Sequence, residues 1–175
     1  MRPGNFYAQN VKAVQQTLTL DGVSFTRPAN ATEYAVGDAV TKNAGGAIEI
    51  SVDTGDEGAG GYITRLLLTT SQTSCTARFR VWFLRADFGT PAADNAALIA
   101  GYFDSGTELG KIIGYVDMEA MQPGSVGALS VNTDARLHFQ CDPEDTSIYF
   151  YIAALDAFTP ASGQTFNLEI GVERG

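Results

Sequence analysis

The chain has 175 residues, of which 45% are hydrophobic and 18% charged, which fits one folded domain with a sizeable core and argues against disorder. Its 20 acidic and 11 basic residues give a formal charge of −9, and no Lys/Arg cluster supplies the basic stripe that follows a nucleic-acid backbone. No apolar run approaches the ~20 residues of a membrane span, and the opening MRPGNFYAQN lacks the apolar centre of a signal peptide, so neither nucleic acid, membrane nor export is expected, and synthesis is placed in a cytoplasm.

In chain order, residues 1–12 read as an extended N-terminal arm with Phe6 and Tyr7 as its aromatic pair, and residues 13–175 as a single β-sandwich domain. Strands are predicted over 16–20 and 23–26, split by an Asp21-Gly22 turn, and then over 39–41, 47–52 and 62–69. The Gly-rich loop after 52 holds one acidic cluster, Asp53, Asp56 and Glu57. In the strand over 78–84, Phe79, Val81 and Phe83 share one face, and Arg78, Arg80, Trp82 and Leu84 the other, so both faces are expected to pack while the arginine heads reach outward.

A single helix is predicted over 92–100, with Pro91 at its start. Strands follow over 111–118, 128–131, 137–141, 147–155 and 165–172, with turns at Pro123-Gly124, Asp142-Pro143 and 160–163. The last strand alternates cleanly: Phe166, Leu168, Ile170 and Val172 against Thr165, Asn167, Glu169 and Gly171. On 147–155, Phe150 faces the core with Ile148 and Ile152. Tyr149 and Tyr151 form a second apolar face, suited to the other wall of a sandwich or to a subunit contact. The fold class is therefore all-β: an antiparallel β-sandwich or jelly roll with at most one short helix.

Chemistry is sparse. His138, the only histidine, falls on the polar face of its strand, and no G-x-S-x-G elbow accompanies it. The clusters at Asp53, Asp56, Glu57 and at Asp142, Glu144, Asp145 do not fit the EF-hand spacing and read as solvated turns. Cys75 and Cys141 read as two reduced, semi-buried thiols, with one bridge between strands as the alternative. No catalytic residue, metal or cofactor site is assigned, and an enzyme is not expected.

The segment RPANATEYAVGDAV, residues 27–40, resembles an R-P-A-(N/D)-x-T-x-Y-x-x-G-D-x-(V/I) pattern of small structural proteins of tailed bacteriophages. The likeness continues through ITRLLLTTSQTSCTARFRVWFLRADFGTPAADNAAL (63–98) and YIAALDAFTPASGQTFNLEIGVE (151–173). The resemblance implies a jelly-roll decoration or cement protein on the capsid exterior of a virion, with the major capsid protein and further copies of itself, as homodimer or homotrimer, as partners. It assigns structural roles to Arg27, Pro28, Tyr34, Gly37 and Asp38, with Gly37 at positive φ, and to Asp94 as the anchor of its turn. Phe6 and Tyr7 are the residues expected to lie on the capsid. Two rival readings are a tail or head-fibre module that binds host-surface glycans through exposed tyrosines such as Tyr151, and a jelly-roll enzyme acting on polysaccharide through the Asp53 and Asp142 loops.

Overall fold

The computed structural model describes residues 18–52, 57, 58, 60–98, 103 and 106–174. Phe6, Tyr7 and the proposed arm lie outside them, as do Asp53 and Asp56. Among the described residues there are eleven strands: β1 (Leu18–Thr26), β2 (Ala39–Val40), β3 (Ile48–Ser51), β4 (Gly60–Thr70), β5 (Phe79–Leu84), β6 (Ile112–Met118), β7 (Gln122–Pro123), β8 (Ala128–Asn132), β9 (Leu137–Gln140), β10 (Ser147–Ala154) and β11 (Thr165–Arg174). A four-residue helix, α1 (Gly106–Leu109), lies between β5 and β6.

The strands form two antiparallel sheets. The first runs β1-β11-β4-β8-β7, with β9 beside the other end of β4. The second runs β2-β10-β5-β6, with β3 also on β10. Residues 147–150 of β10 pair with β3 and residues 152–153 with β2, so β2 and β3 act as one interrupted strand. Along β4, β9 and β8 do the same. With the two-residue β7 set aside, eight strands remain among the described residues, ordered 1-8-3-6 in one sheet and 2-7-4-5 in the other. The chain keeps crossing between the sheets, which is the topology of a jelly roll.

Alternation explains the core. Phe166, Leu168, Ile170 and Val172 of β11 are fully buried, facing Phe79, Val81, Phe83, Ile148, Phe150 and Ile152 of the second sheet. Phe166 stacks on Phe25 at 5.7 Å and meets Phe79 edge-on at 5.6 Å, arrangements that contribute beyond area burial.

Three expectations are corrected. Asp21-Gly22 is not a turn, because β1 runs unbroken through it and each of its nine residues has a partner on β11; the ladder overrides the local turn preference. Of the helix expected over 92–100, residues 92–97 are not helical and Leu98 is, while 99 and 100 lie outside the described residues. Asn95 adopts φ 61, and Asn95 N–H bonds Ala39 O while Ala39 N–H bonds Ala96 O and Leu98 N–H bonds Gly37 O. The backbone there is spent on the edge of β2 instead of on a helix. Pro123 is not only a turn residue: it ends β7, a two-residue edge strand, where a missing N–H is tolerated.

The outer face of the second sheet is covered from within the chain. Trp82, Leu84, Tyr149, Tyr151 and Ala153 pack against Phe88, Ala92, Leu98, Phe103 and Ile112, most of which belong to the long β5–β6 connection. Beyond this cover, Arg78 pairs with Asp156 and Arg80 with Asp117, heads outward as expected. The Arg78 guanidinium holds the Asp156 carboxyl down at about 2.

Candidate functional site

The three segments that carry the resemblance converge at one end of the sandwich. Arg27 leaves β1 and turns inward; its side chain is fully buried. All five of its N–H groups are used. Nε donates to Tyr34 Oη at 2.8 Å, Nη1 to Asn30 O at 2.7 Å and Ala161 O at 3.2 Å, and Nη2 to Asn30 Oδ1 at 3.0 Å and Asp94 Oδ2 at 3.3 Å. The planar fork of arginine suits such a set, where a lysine point charge would not.

Asp94 closes the circuit by accepting from Tyr34 Oη at 2.5 Å and from Thr41 N at 3.0 Å. Burial, and then the bond to Asp94, push the Tyr34 phenol well above its ordinary range, so it stays a donor. The Tyr34 ring stacks on Phe158 at 5.0 Å, and the two backbones form a small bridge.

The rest of the loop is fixed locally. Asp38 Oδ2 accepts from Ala35 N at 2.7 Å across a tight turn, and Gly37 sits there at φ 91, where a side chain would be strained. Pro28 O accepts from Asn30 N and Gly163 N. Arg27, Tyr34 and Asp94 thus meet directly, while Pro28, Gly37 and Asp38 shape the loop around them. Asn30 was not singled out from sequence; its position three residues after a buried arginine, where an Asx turn forms, is the available signal.

The other candidates separate from this cluster. His138 is exposed on β9, its ring 5.2 Å from that of Tyr62. Asp145 is committed to its own loop: Oδ1 accepts from Thr146 N and Ser147 N, and Oδ2 from Tyr149 Oη. Burial, and then the Asp145 and Glu49 charges, push the Tyr149 phenol up to about 12. Among the described residues no three His, Cys, Asp or Glu side chains converge as a metal set.

Tyr151 is fully buried, stacked on Phe88 at 5.3 Å. It donates to Asp87 Oδ1 at 3.0 Å and accepts from Ala92 N at 3.2 Å. It therefore presents no face for a sugar, and the exposed-tyrosine platform does not include it.

Cys75 and Cys141 are unbridged and buried, each 3% exposed, and burial raises both thiols. Because the thiolate is the reactive form, the folded protein is expected to resist a maleimide or an aromatic disulfide reagent. Two thiols per chain should appear when a denaturant is added, and prompt labelling of the folded chain would contradict their placement.

A different feature lies on the outer face of the first sheet. In the turn between β7 and β8, Val126, 91% exposed, lines a groove of about 580 Å³ together with Thr69, Gln122, Leu129, Thr165 and Asn167 among others. It was not singled out from sequence; the apolar residue at the tip of the Gly-Ser-Val-Gly turn is the available signal. The chain matches no protein-family model and no curated protein sequence.

Proposed function

We propose that this chain is a non-catalytic virion protein that decorates the outside of a tailed-phage capsid and cements neighbouring copies of the major capsid protein. The observation that carries the reading is the convergence of the three motif segments. RPANATEY, TPAADNAA and AFTPAS are far apart in sequence, yet they meet through Arg27, Tyr34, Asp94, Phe158 and Ala161. The resemblance therefore falls on residues that meet in one folded unit.

Mechanically, the role asks for a stiff body that holds its surface loops in place. The buried guanidinium ties the 27–38 loop, the 94–97 turn and the 158–164 loop to one another, so a surface built from them is preorganised before it binds. Many copies on one shell act together, so a modest affinity for each contact suffices. Phe6 and Tyr7 are proposed to lie on the capsid beside this body.

The test is co-sedimentation of the purified chain with phage heads that lack it. Saturable binding at a fixed number of copies per capsid subunit is expected, with reduced occupancy for a chain lacking residues 1–10. Absence of saturable binding by the full chain would overturn the reading, and unchanged occupancy after the deletion would remove the role of Phe6 and Tyr7.

A further inference from the structure

We infer that the uncharged half of the first sheet's outer face, centred on Val126, is the surface through which two copies of this chain meet about a twofold axis. The first observation is the distribution of charge. The three longest stretches without an acidic or basic side chain are residues 120–133, 66–77 and 157–168. They are far apart in sequence, but the topology joins them. Thr70 pairs with both Phe166 and Ala128, Thr69 with both Asn167 and Leu129, and Pro123 with Ala128. The end of β1 adds Ser24 and Thr26, opposite Asn167 and Thr165.

The result is a continuous face with no carboxylate, on a chain of net charge −9. That balance bears on the occupant. Two copies of a strongly acidic chain repel, and an unpaired carboxylate buried between them is strongly unfavourable. A like-charged copy is therefore best received where carboxylates are absent. Along this face the first charged residues are Glu169 on β11 and Arg65 on β4, which mark its border.

The second observation is shape. Val126, 91% exposed, and Leu129, 46% exposed, both line the groove. An exposed apolar side chain on the wall of a concave face serves both copies: a twofold axis sets each Val126 against the other copy's groove. Ser24, Thr26, Thr165 and Asn167 already bond in cross-strand pairs, Ser24 Oγ to Asn167 Oδ1 at 2.9 Å and Thr26 Oγ1 with Thr165 Oγ1 at 3.2 Å. Their remaining capacity suits the polar rim of such an interface. No aromatic ring lines the groove, so it offers no stacking platform for a sugar.

The inference rests on the proposed function only in taking the chain to act as more than one copy. It is tested by light scattering after size exclusion and by sedimentation equilibrium over a range of concentrations, on the full chain. The wild type is expected to pair, and Val126→Asp to weaken pairing by at least about tenfold by placing a carboxylate in each groove. The melting temperature of the separated subunit should stay unchanged, since Val126 is 91% exposed; Leu129→Lys is the second variant.

A wild type that stays monomeric, a trimer, or pairing that survives both substitutions would overturn the proposal. Pairing lost on removal of residues 1–17 but kept in Val126→Asp would also overturn it, and would assign the contact to that segment. Head binding is measured on the same proteins. Pairing without head binding overturns the capsid reading alone, and head binding by a monomer, with Val126 protected only on the head, overturns this proposal alone.

Discussion

Replacing Arg27 by alanine is expected to cost about 3–5 kcal/mol of folding stability, because it leaves a buried carboxylate and two loop carbonyls without their donor. Asp94 keeps only Tyr34 Oη and Thr41 N, and Asn30 O and Ala161 O lose the guanidinium. At roughly 2–4 °C for each kcal/mol in a chain of this size, the melting temperature should fall by about 10 °C. Arg27→Lys keeps the charge but not the fork, and is expected to recover only a minor part.

A double-mutant cycle with Asp94→Ala separates the pair from the rest of the network. A coupling of about 0.5–3 kcal/mol is the range for residues sharing one hydrogen-bonded set. Urea denaturation of the four proteins supplies the numbers. Strictly additive losses would mean that the 94–97 turn is held by something other than Arg27.

Tyr151→Ala is the second large effect. The ring is fully buried between the sheet and Phe88, so its removal leaves a cavity costing about 3–5 kcal/mol. Tyr151→Phe keeps the ring and removes only the hydroxyl, stranding Ala92 N while Asp87 Oδ1 keeps Phe88 N and Ala47 N, at about 1–3 kcal/mol. Both should loosen the β5–β6 connection before the sandwich, seen as faster exchange of the Ala92 amide. Full stability of Tyr151→Ala would contradict the buried position. The two variants also separate binding from folding: any glycan or capsid binding lost with the ring has first to be corrected for the fraction unfolded.

The strands were legible because most have one wet face and one dry face. Phe79, Val81 and Phe83, and Phe166 through Val172, alternate at period 2, and the structure buries the apolar set of each. Two of the three corrected expectations were places where local preference lost to pairing. Asp21-Gly22 has turn chemistry, but it lies opposite Ile170 and Glu169 in a continuous ladder. The Pro-Ala-Ala-Asp-Asn-Ala-Ala run has helix propensity, but its amides and carbonyls serve the edge of β2. The Tyr151 face was recognised as apolar, whereas its cover came from residues 85–112 and could not be read from spacing alone.

The loop cluster was legible only in parts. Arg27, Tyr34, Gly37 and Asp38 stood out together, and Asp94 separately as a turn anchor. Nothing in the intervening residues announces that Arg27 and Asp94 touch, because that contact follows from how β1, β2 and the β5–β6 connection are placed by two sheets. The uncharged face has the same character. Its three stretches are visible in the sequence as runs without charge, and only the order β1-β11-β4-β8-β7 brings them side by side.

The most direct measurement is a cryo-EM reconstruction of the virion that the capsid reading assigns to this chain. The capsid reading predicts density for the jelly roll on the outer shell, repeated at capsid-subunit junctions with residues 1–10 against the major capsid protein. Density for the chain confined to the tail or fibres, or a shell that carries none of it, would contradict that reading.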